Sequence, residues 1–189
     1  MSSKKKDVGV DLGFTDEERA ELHQIARAAI VSRAAGREAP SVSPASAGLA
    51  DRRGAFVCIH QSGVLRGCVG MLEAEHPLCQ TVAEMAQAAA FRDSRFRAVT
   101  EEEIPYLDVE ISVLTPLTEI SGPEEIEVGV HGLLIRKGYY SGVLLPQVAA
   151  ERDWDRVTFL CETCRKAGLD PDAWKQKDTK IYVFSADVF

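Results

Sequence analysis

The chain has 189 residues, of which 46% are apolar and 27% charged, and its formal net charge is −7. These values fit one soluble globular domain, or one with a small appended lobe, large enough to bury a core without staples. An acidic balance of this size argues against non-specific binding to nucleic acid or to an anionic membrane.

Residues 1–14 read as an N-terminal tail. Lys4, Lys5 and Lys6 make a basic start, but no apolar stretch follows them, so no signal peptide is expected. No run approaches the ~18–20 apolar residues of a membrane span. Thr15-Asp16-Glu17-Glu18 is a capping-box pattern, with a hydroxyl N-cap and a Glu three positions on. Leu22, Ile25, Ala26, Ala29 and Ile30 then recur at helical spacing, predicting an amphipathic helix that ends near Gly36. Residues 37–53 carry Pro40, Pro44 and three serines and read as a loop or linker inside a single domain spanning 15–189.

Ala55 to His60 and Val64 to Val69 are two β-rich runs around Gln61-Ser62-Gly63, spaced as a hairpin. Pro77 opens a helix whose Leu78, Val82, Met85 and Ala89 share one face. Thr100 and Glu103 repeat the capping box, and the acidic run Glu101 to Glu103 reads as solvated. Leu107 to Leu114 alternates as a half-buried strand. Gly129-Val130-His131-Gly132 is a turn or bulge signal, followed by a second hairpin from Leu133–Arg136 to Gly142–Leu145 through Tyr139 and Tyr140. Pro146 sits at the first turn of a further helix. Asp153 to Ala167 predicts another, with Val157, Leu160, Cys161 and Cys164 on its apolar stripe and Gly168 as its stop. Ile181 to Phe184 predicts a closing strand. Strands that arrive mainly as hairpins favour an α+β fold, an antiparallel sheet flanked by helices, over a doubly wound parallel one.

Leu65-Arg66-Gly67-Cys68-Val69-Gly70 concentrates the chemistry. Strand alternation puts Leu65, Gly67 and Val69 on the core face, and Arg66, Cys68 and Gly70 on a face that could line a cleft. Arg66 and Cys68 are then about 7 Å apart. At an effective dielectric near 20, that charge favours a thiolate by roughly 2 kcal/mol. The competing reading is a small buried cysteine with Arg66 in an ordinary ion pair. His131, between two glycines, is a candidate base. The five cysteines fit no small-scaffold spacing and read as free thiols in a reducing cytosol. Cys161-Glu162-Thr163-Cys164 matches CxxC, but one such pair supplies two of the four ligands of a structural zinc site, and both cysteines fall on the apolar stripe, so packing is the better reading. Cys58 and Cys79 read as structural. There is no nucleotide-cradling glycine motif, and no metal or cofactor is expected.

The hexapeptide Leu65 to Gly70 resembles the LRGCIG signature of the AMMECR1 family, called AmmeMemoRadiSam system protein A in prokaryotes, with Val69 in place of Ile. Asp93-Ser94-Arg95-Phe96, the Leu107–Leu114 strand, Gly129 to Gly132, Leu144 to Val148 and Lys166 to Leu169 follow in that family's order. The resemblance runs from about Thr15 to the C-terminus. It implies two lobes with a cleft near the signature, and a cytoplasmic protein encoded beside a Memo-like protein and a radical-SAM protein. It points to Arg66, Gly67, Cys68, Gly70, Asp93, Arg95, His131, Gln147 and Lys166. Two functions compete. In one, Cys68 is the nucleophile or acid–base group of an enzyme, Arg66 favours the thiolate or binds an anionic substrate, and His131 moves a proton. In the other, the chain is an accessory protein that binds a small anionic ligand or docks the Memo-like or radical-SAM partner. RNA binding ranks last, since aromatic-plus-basic platforms are missing.

Overall fold

A computed structural model describes residues 8–38 and 40–189; Lys4 to Lys6 lie outside the described residues. The chain is α+β, with antiparallel strands and flanking helices. It divides into two compact units. One comprises Leu12–Leu114 and Asp187–Phe189; the other comprises Thr115–Ala186 with residues 8–11. No helix among the described residues is long and apolar enough to cross a membrane.

The first unit holds α1 (Asp16–Ala34), α2 (Ala47–Ala50), β1 (Ala55–Gln61), β2 (Val64–Met71), α3 (Leu78–Phe91) and β3 (Leu107–Leu114). The capping box forms as the sequence predicts: Glu18 N–H donates to Thr15 Oγ1 and Thr15 N–H to Glu18 Oε2. Residues 37–53 are more than a linker. Ser46 accepts from Leu49 N–H and starts α2, whose Leu49 is wholly buried, and Asp51 O accepts from Leu78 N–H at the mouth of α3. Leu49, the partly buried Val42, whose carbonyl accepts from Gln80, and these backbone contacts tie the segment to the core. The strands pair antiparallel in the order β2-β1-β3. Val57, Ile59, Ile111 and Val113 join Leu22, Ala26, Ile30, Val82 and Ala89 in one core. The C-terminus closes this unit: Asp187 accepts from Arg19 and from Leu12 N–H, and Phe189 exchanges backbone hydrogen bonds with Ile111.

The second unit holds β4 (Thr118–Ile120), β5 (His131–Lys137), β6 (Tyr140–Leu144), α4 (Pro146–Glu151), α5 (Arg156–Lys166) and β7 (Lys180–Val188) up to Ala186. Its strands run β4-β7-β5-β6, all antiparallel. The helix expected from Asp153 starts at Arg156 instead. Asp153 has φ +50°, which no helix accepts, and Asp155 is the N-cap, taking the Thr158 N–H at 2.7 Å. The stripe is also rotated from expectation. Val157 is exposed and Cys161 half-buried, while Phe159, Leu160, Thr163 and Cys164 are buried. β4 carries too few residues to show a period, and β7 runs longer than Ile181 to Phe184.

Candidate functional site around Cys68

The hairpin between β1 and β2 turns on Ser62 (φ +53°) and Gly63 (φ +76°), a two-residue turn with both positions left-handed. Such a turn pairs Gln61 with Val64 and His60 with Leu65, as observed. Continued unbroken, it would set Cys58 opposite Gly67. The register instead shifts between His60 and Ile59: Ile59 faces Gly67, and Cys58 faces Cys68. Arg66 is the inserted residue, with no partner in the ladder. This is a β-bulge, and it breaks the strict alternation that predicted a shared face for Arg66 and Cys68. Leu65 keeps the turn's own pairing with His60, and the bulge takes it out of the alternation that Gly67 and Val69 share.

The bulged Arg66 is buried, and each of its three guanidinium nitrogens donates. Its Nε and Nη2 donate to the two Glu103 carboxylate oxygens at 3.2 and 3.1 Å, its Nη1 to Arg97 O at 2.8 Å, and its Nη2 to Ala98 O at 3.3 Å. Glu103 was expected in solvent; it is buried, and it also accepts the Thr100 N–H at 2.9 Å. The Arg66 guanidinium and that amide hold the Glu103 carboxyl down at about 2. The Arg66 charge is therefore balanced by a carboxylate, and neither activation of Cys68 by Arg66 nor binding of an anionic substrate by it follows from this geometry.

The glycines of the hexapeptide have packing roles. A Cβ on Gly67 would lie 2.1 Å from Ala89 O on α3, and one on Gly70 would lie 2.2 Å from the Phe56 ring opposite. Gly67 lets the strand meet the helix, and Gly70 makes room for the cross-strand aromatic.

Asp93 and Arg95 grip Cys68 by its main chain. Cys68 N–H donates to Asp93 Oδ2 at 2.9 Å, and Arg95 Nη2 donates to Cys68 O at 3.2 Å. Arg95 and Asp93 are themselves paired, at 2.7 Å (Nη2 to Oδ2) and 2.9 Å (Nε to Oδ1). The Arg95 hydrogen bonds, aided by the Cys68 amide, hold the Asp93 carboxyl well below the usual range. Register parity explains the grip. In an antiparallel pair, residues at the close, non-hydrogen-bonded sites turn their N–H and C=O away from the partner strand. β2 is an edge strand, so the Cys68 peptide groups face outward, where Asp93 and Arg95 satisfy them.

The same parity brings Cys68 to its shortest approach to β1. Cys58 and Cys68 have Cα atoms 4.1 Å apart, and their sulfurs are joined. The expectation of five free thiols fails for this pair. Cys58, read as merely structural, is the residue nearest the Cys68 sulfur. Cys79, Cys161 and Cys164 are free.

His131, Gln147 and Lys166 belong to the second unit. His131 Nδ1 accepts the Glu127 N–H at 3.1 Å while Glu127 O accepts the His131 N–H at 2.8 Å, so the ring closes its own turn. A neutral His131 then carries its proton on Nε2. Gly132 makes room for Phe184, whose ring would lie 2.4 Å from a Cβ there. Gln147 is half-buried in the first turn of α4. Lys166 is exposed in the last turn of α5, where a cation complements the helix dipole. Among the described residues, no three His, Cys, Asp or Glu side chains gather as metal ligands. The site residues missed from sequence are Cys58 and Glu103. The capping box at Thr100 marked Glu103 as oriented, but its partner Arg66 lies 37 positions away.

The AMMECR1 family model matches residues 23–189. The chain belongs to the AMMECR1 family. A protein of Methanothermobacter thermautotrophicus is 46% identical over 144 residues, covering 73% of this chain and 75% of that one. Protein TK0174 of Thermococcus kodakarensis is 45% identical over 162 residues, 80% and 78% of the two chains. Protein MK0488 of Methanopyrus kandleri is 41% identical over 185 residues, 93% and 89%. The crystal structure of uncharacterized protein PH0010 from Pyrococcus horikoshii superposes with a TM-score of 0.88 at 41% identity, covering 93% of this chain and 92% of that one. The α+β fold of this AMMECR1 chain is thus also that of a solved relative.

Proposed function

We propose that this AMMECR1 protein is a cysteine-dependent enzyme whose reacting group is the Cys68 thiol in the reduced protein, acting on a small substrate. The observation that carries this reading is the grip on Cys68. Both of its main-chain polar groups are held by charged side chains from another segment, while the residue stays partly exposed. Fixing a nucleophile's main chain is how a fold meets the geometric demand of nucleophilic catalysis. Arg66 is a positioning residue here: its bulge sets which residue faces Cys58. The cation that touches the Cys68 peptide is Arg95; Asp93 balances its charge as Glu103 balances that of Arg66, but the Arg95 side chain is 51% exposed and so is the cation a group approaching Cys68 would meet.

One observation favours the accessory reading, in which the chain docks a Memo-like or radical-SAM partner and turns nothing over. Arg66 and His131, two of the three side chains expected to do chemistry, spend hydrogen bonds on holding the fold. A metabolite extract incubated with reduced protein, with its reduced Cys68→Ser variant, or alone, and then profiled by mass spectrometry, decides between the two. Substrate loss or product gain beyond one equivalent, seen with the wild type and absent with the variant, is the expected result. Equal profiles for both proteins would overturn the enzyme reading and leave the accessory one.

A further inference from the structure

We propose that Cys58 and Cys68 form a thiol–disulfide exchange site, one that reacts reversibly with low-molecular-weight thiols and disulfides, with Cys68 as the exposed sulfur and Cys58 as the buried resolving one. This goes beyond the reading above and does not need turnover at Cys68.

Three observations converge on it. The bulge at Arg66 moves the register by one residue and sets the two cysteines directly opposite; without it Cys58 would face Gly67, and Cys68 would lie on the other face of the hairpin. The pair occupies a close site of the ladder, with Cα atoms 4.1 Å apart, and is bracketed by Val57–Val69 and Ile59–Gly67, so the reduced sulfurs stay opposite one another. The two residues differ in access: Cys58 is 7% exposed, between β2 and β3, whereas Cys68 is on the edge strand and half-buried. A disulfide reagent therefore reaches Cys68 first.

The exchange balances with one small disulfide, RSSR. The Cys68 thiolate attacks one sulfur of RSSR; the Cys68–S–SR bond forms, the RS–SR bond breaks, and RS⁻ leaves and takes up a proton. The Cys58 thiolate then attacks the Cys68 sulfur, closing the Cys58–Cys68 bond and expelling the second RS⁻, which is also protonated. The two protons lost by the protein thiols end on two RSH. In the reverse direction two RSH reduce the pair and leave as RSSR. The second step is intramolecular between fixed strands, so the mixed disulfide does not accumulate. A substrate that needs the Cys68 thiol finds it in the reduced protein and not in the oxidised one.

The test uses the full chain equilibrated in glutathione buffers from fully reducing to fully oxidising, then acid-quenched, alkylated and digested with trypsin. Cleavage after Arg66 places Cys58 in peptide 54–66 and Cys68 in peptide 67–92, which also carries Cys79, so the disulfide is read as a linked pair of peptides and fragmentation assigns each link or adduct to Cys68 or Cys79. Expected is a reversible transition from two alkylated cysteines to the linked pair, with the glutathionylated Cys68 peptide passing only transiently in a quenched time course. In Cys58→Ser the Cys68–glutathione adduct should instead persist; circular dichroism checks that this variant is folded. Peptides that never link in the folded wild type would overturn the proposal. So would a link that excess dithiothreitol opens only after the protein is unfolded, which is a structural crosslink. A first adduct on Cys58 would overturn the assigned order. All three readings come from the wild-type time course even if the variant does not fold.

Discussion

Two cysteine pairs in this chain invite comparison. Cys161 and Cys164 stand three positions apart on α5 and match a familiar spacing, yet they remain free. Cys58 and Cys68 stand ten apart on two strands, match no paired-cysteine spacing, and are joined. Geometry accounts for both. Helix positions i and i+3 hold their Cβ atoms about 5–6 Å apart, beyond the ~3.5–4.5 Å that a disulfide spans. Directly opposite strand residues hold theirs about 4.5–5.5 Å apart and closer at the non-hydrogen-bonded sites, which brings them to the edge of that span, and here the Cα atoms of Cys58 and Cys68 are 4.1 Å apart. Sulfur proximity is set by the element, and in the strands it is set by register, which here depends on a single inserted residue.

The comparison breaks most decisively at Glu103. Removing it by Glu103→Ala leaves the buried Arg66 guanidinium without a counter-charge, which costs about 3–5 kcal/mol. Urea unfolding under reducing conditions should show that loss. In the fraction still folded, oxidation should link peptides 54–66 and 67–92 less completely, because nothing then anchors the bulge, while Cys164 labelling stays unchanged. A wild-type urea midpoint would refute the anchoring role. Arg66→Ala should likewise lose stability and linkage together, in contrast to a residue that acts on the thiol alone.

Next in size is the crosslink itself. Closing a loop of about ten residues removes denatured-state entropy worth about 2–3 kcal/mol in the chain-entropy model. Oxidised wild type should exceed reduced wild type by up to that amount, and the difference should vanish in Cys58→Ser. The same comparison across Cys161→Ser should retain it in full.

Gly67→Ala tests the packing side of the site. Its new Cβ would meet Ala89 O, a backbone atom that cannot swing away, so β2 must lift from α3. Overpacking of this kind costs about 1–3 kcal/mol. A thermal melt at wild-type temperature would show that the strand and helix have slack the geometry does not suggest.

Acid should loosen the site before it unfolds the rest. Glu103 and Asp93 both have depressed pKa values in the folded state. A depressed carboxyl contributes stability above its unfolded value and loses it as the proton returns. For Glu103 that window runs from pH 4.5 down to about 2. Protection of the Cys68 amide, taken against its intrinsic exchange rate at each pH, should fall on acidification before that of Leu133, Ile135 and Phe184 in the second unit. Simultaneous loss of protection in both units would mean the two carboxylates are not what acid breaks first.

These expectations also mark what the sequence made legible. The elements that carry a period or a cap were readable: α1 from its capping box, α3 from Pro77 and its apolar face, the first hairpin from its turn, the second from its two β-rich runs though its turn falls at Gly138 and Tyr139, and the antiparallel α+β class from hairpin order. Asp93 and Arg95 were named through the family resemblance as ligand-binding residues; the contacts the structure gives them are to the Cys68 main chain. The pairing of Arg66 with Glu103 was not legible, and Cys58 was read as structural and not as the partner of Cys68, for one shared reason. Turn chemistry fixes a register from the turn outward, and nothing local announces that Arg66 is inserted into it. The bulge is paid for by Glu103, far along the chain, so the register is a tertiary fact. The short helix α2 inside the 37–53 loop was not legible on similar grounds, since composition averages over Leu49, the buried residue among those described there.

The smallest expected effect sharpens the comparison from the helical side. Cys161 is half-buried and Cys164 wholly buried, and burial, the largest cause, pushes the Cys164 thiol up. Cys79 is buried and raised in the same way. A raised thiol stays protonated at neutral pH, so Cys164 and Cys79 should label slowly with iodoacetamide and catch up only as pH rises. Cys161→Ser should change stability by no more than about 0.5 kcal/mol, as for a surface substitution that breaks no special contact. Cys164→Ser places a hydroxyl among Phe159, Leu160 and Ala173 and should cost more. If instead Cys161 and Cys164 label together and their single substitutions cost alike, the two thiols act as a unit. The contrast between a helical pair that packs and a strand pair that reacts would then have to be redrawn.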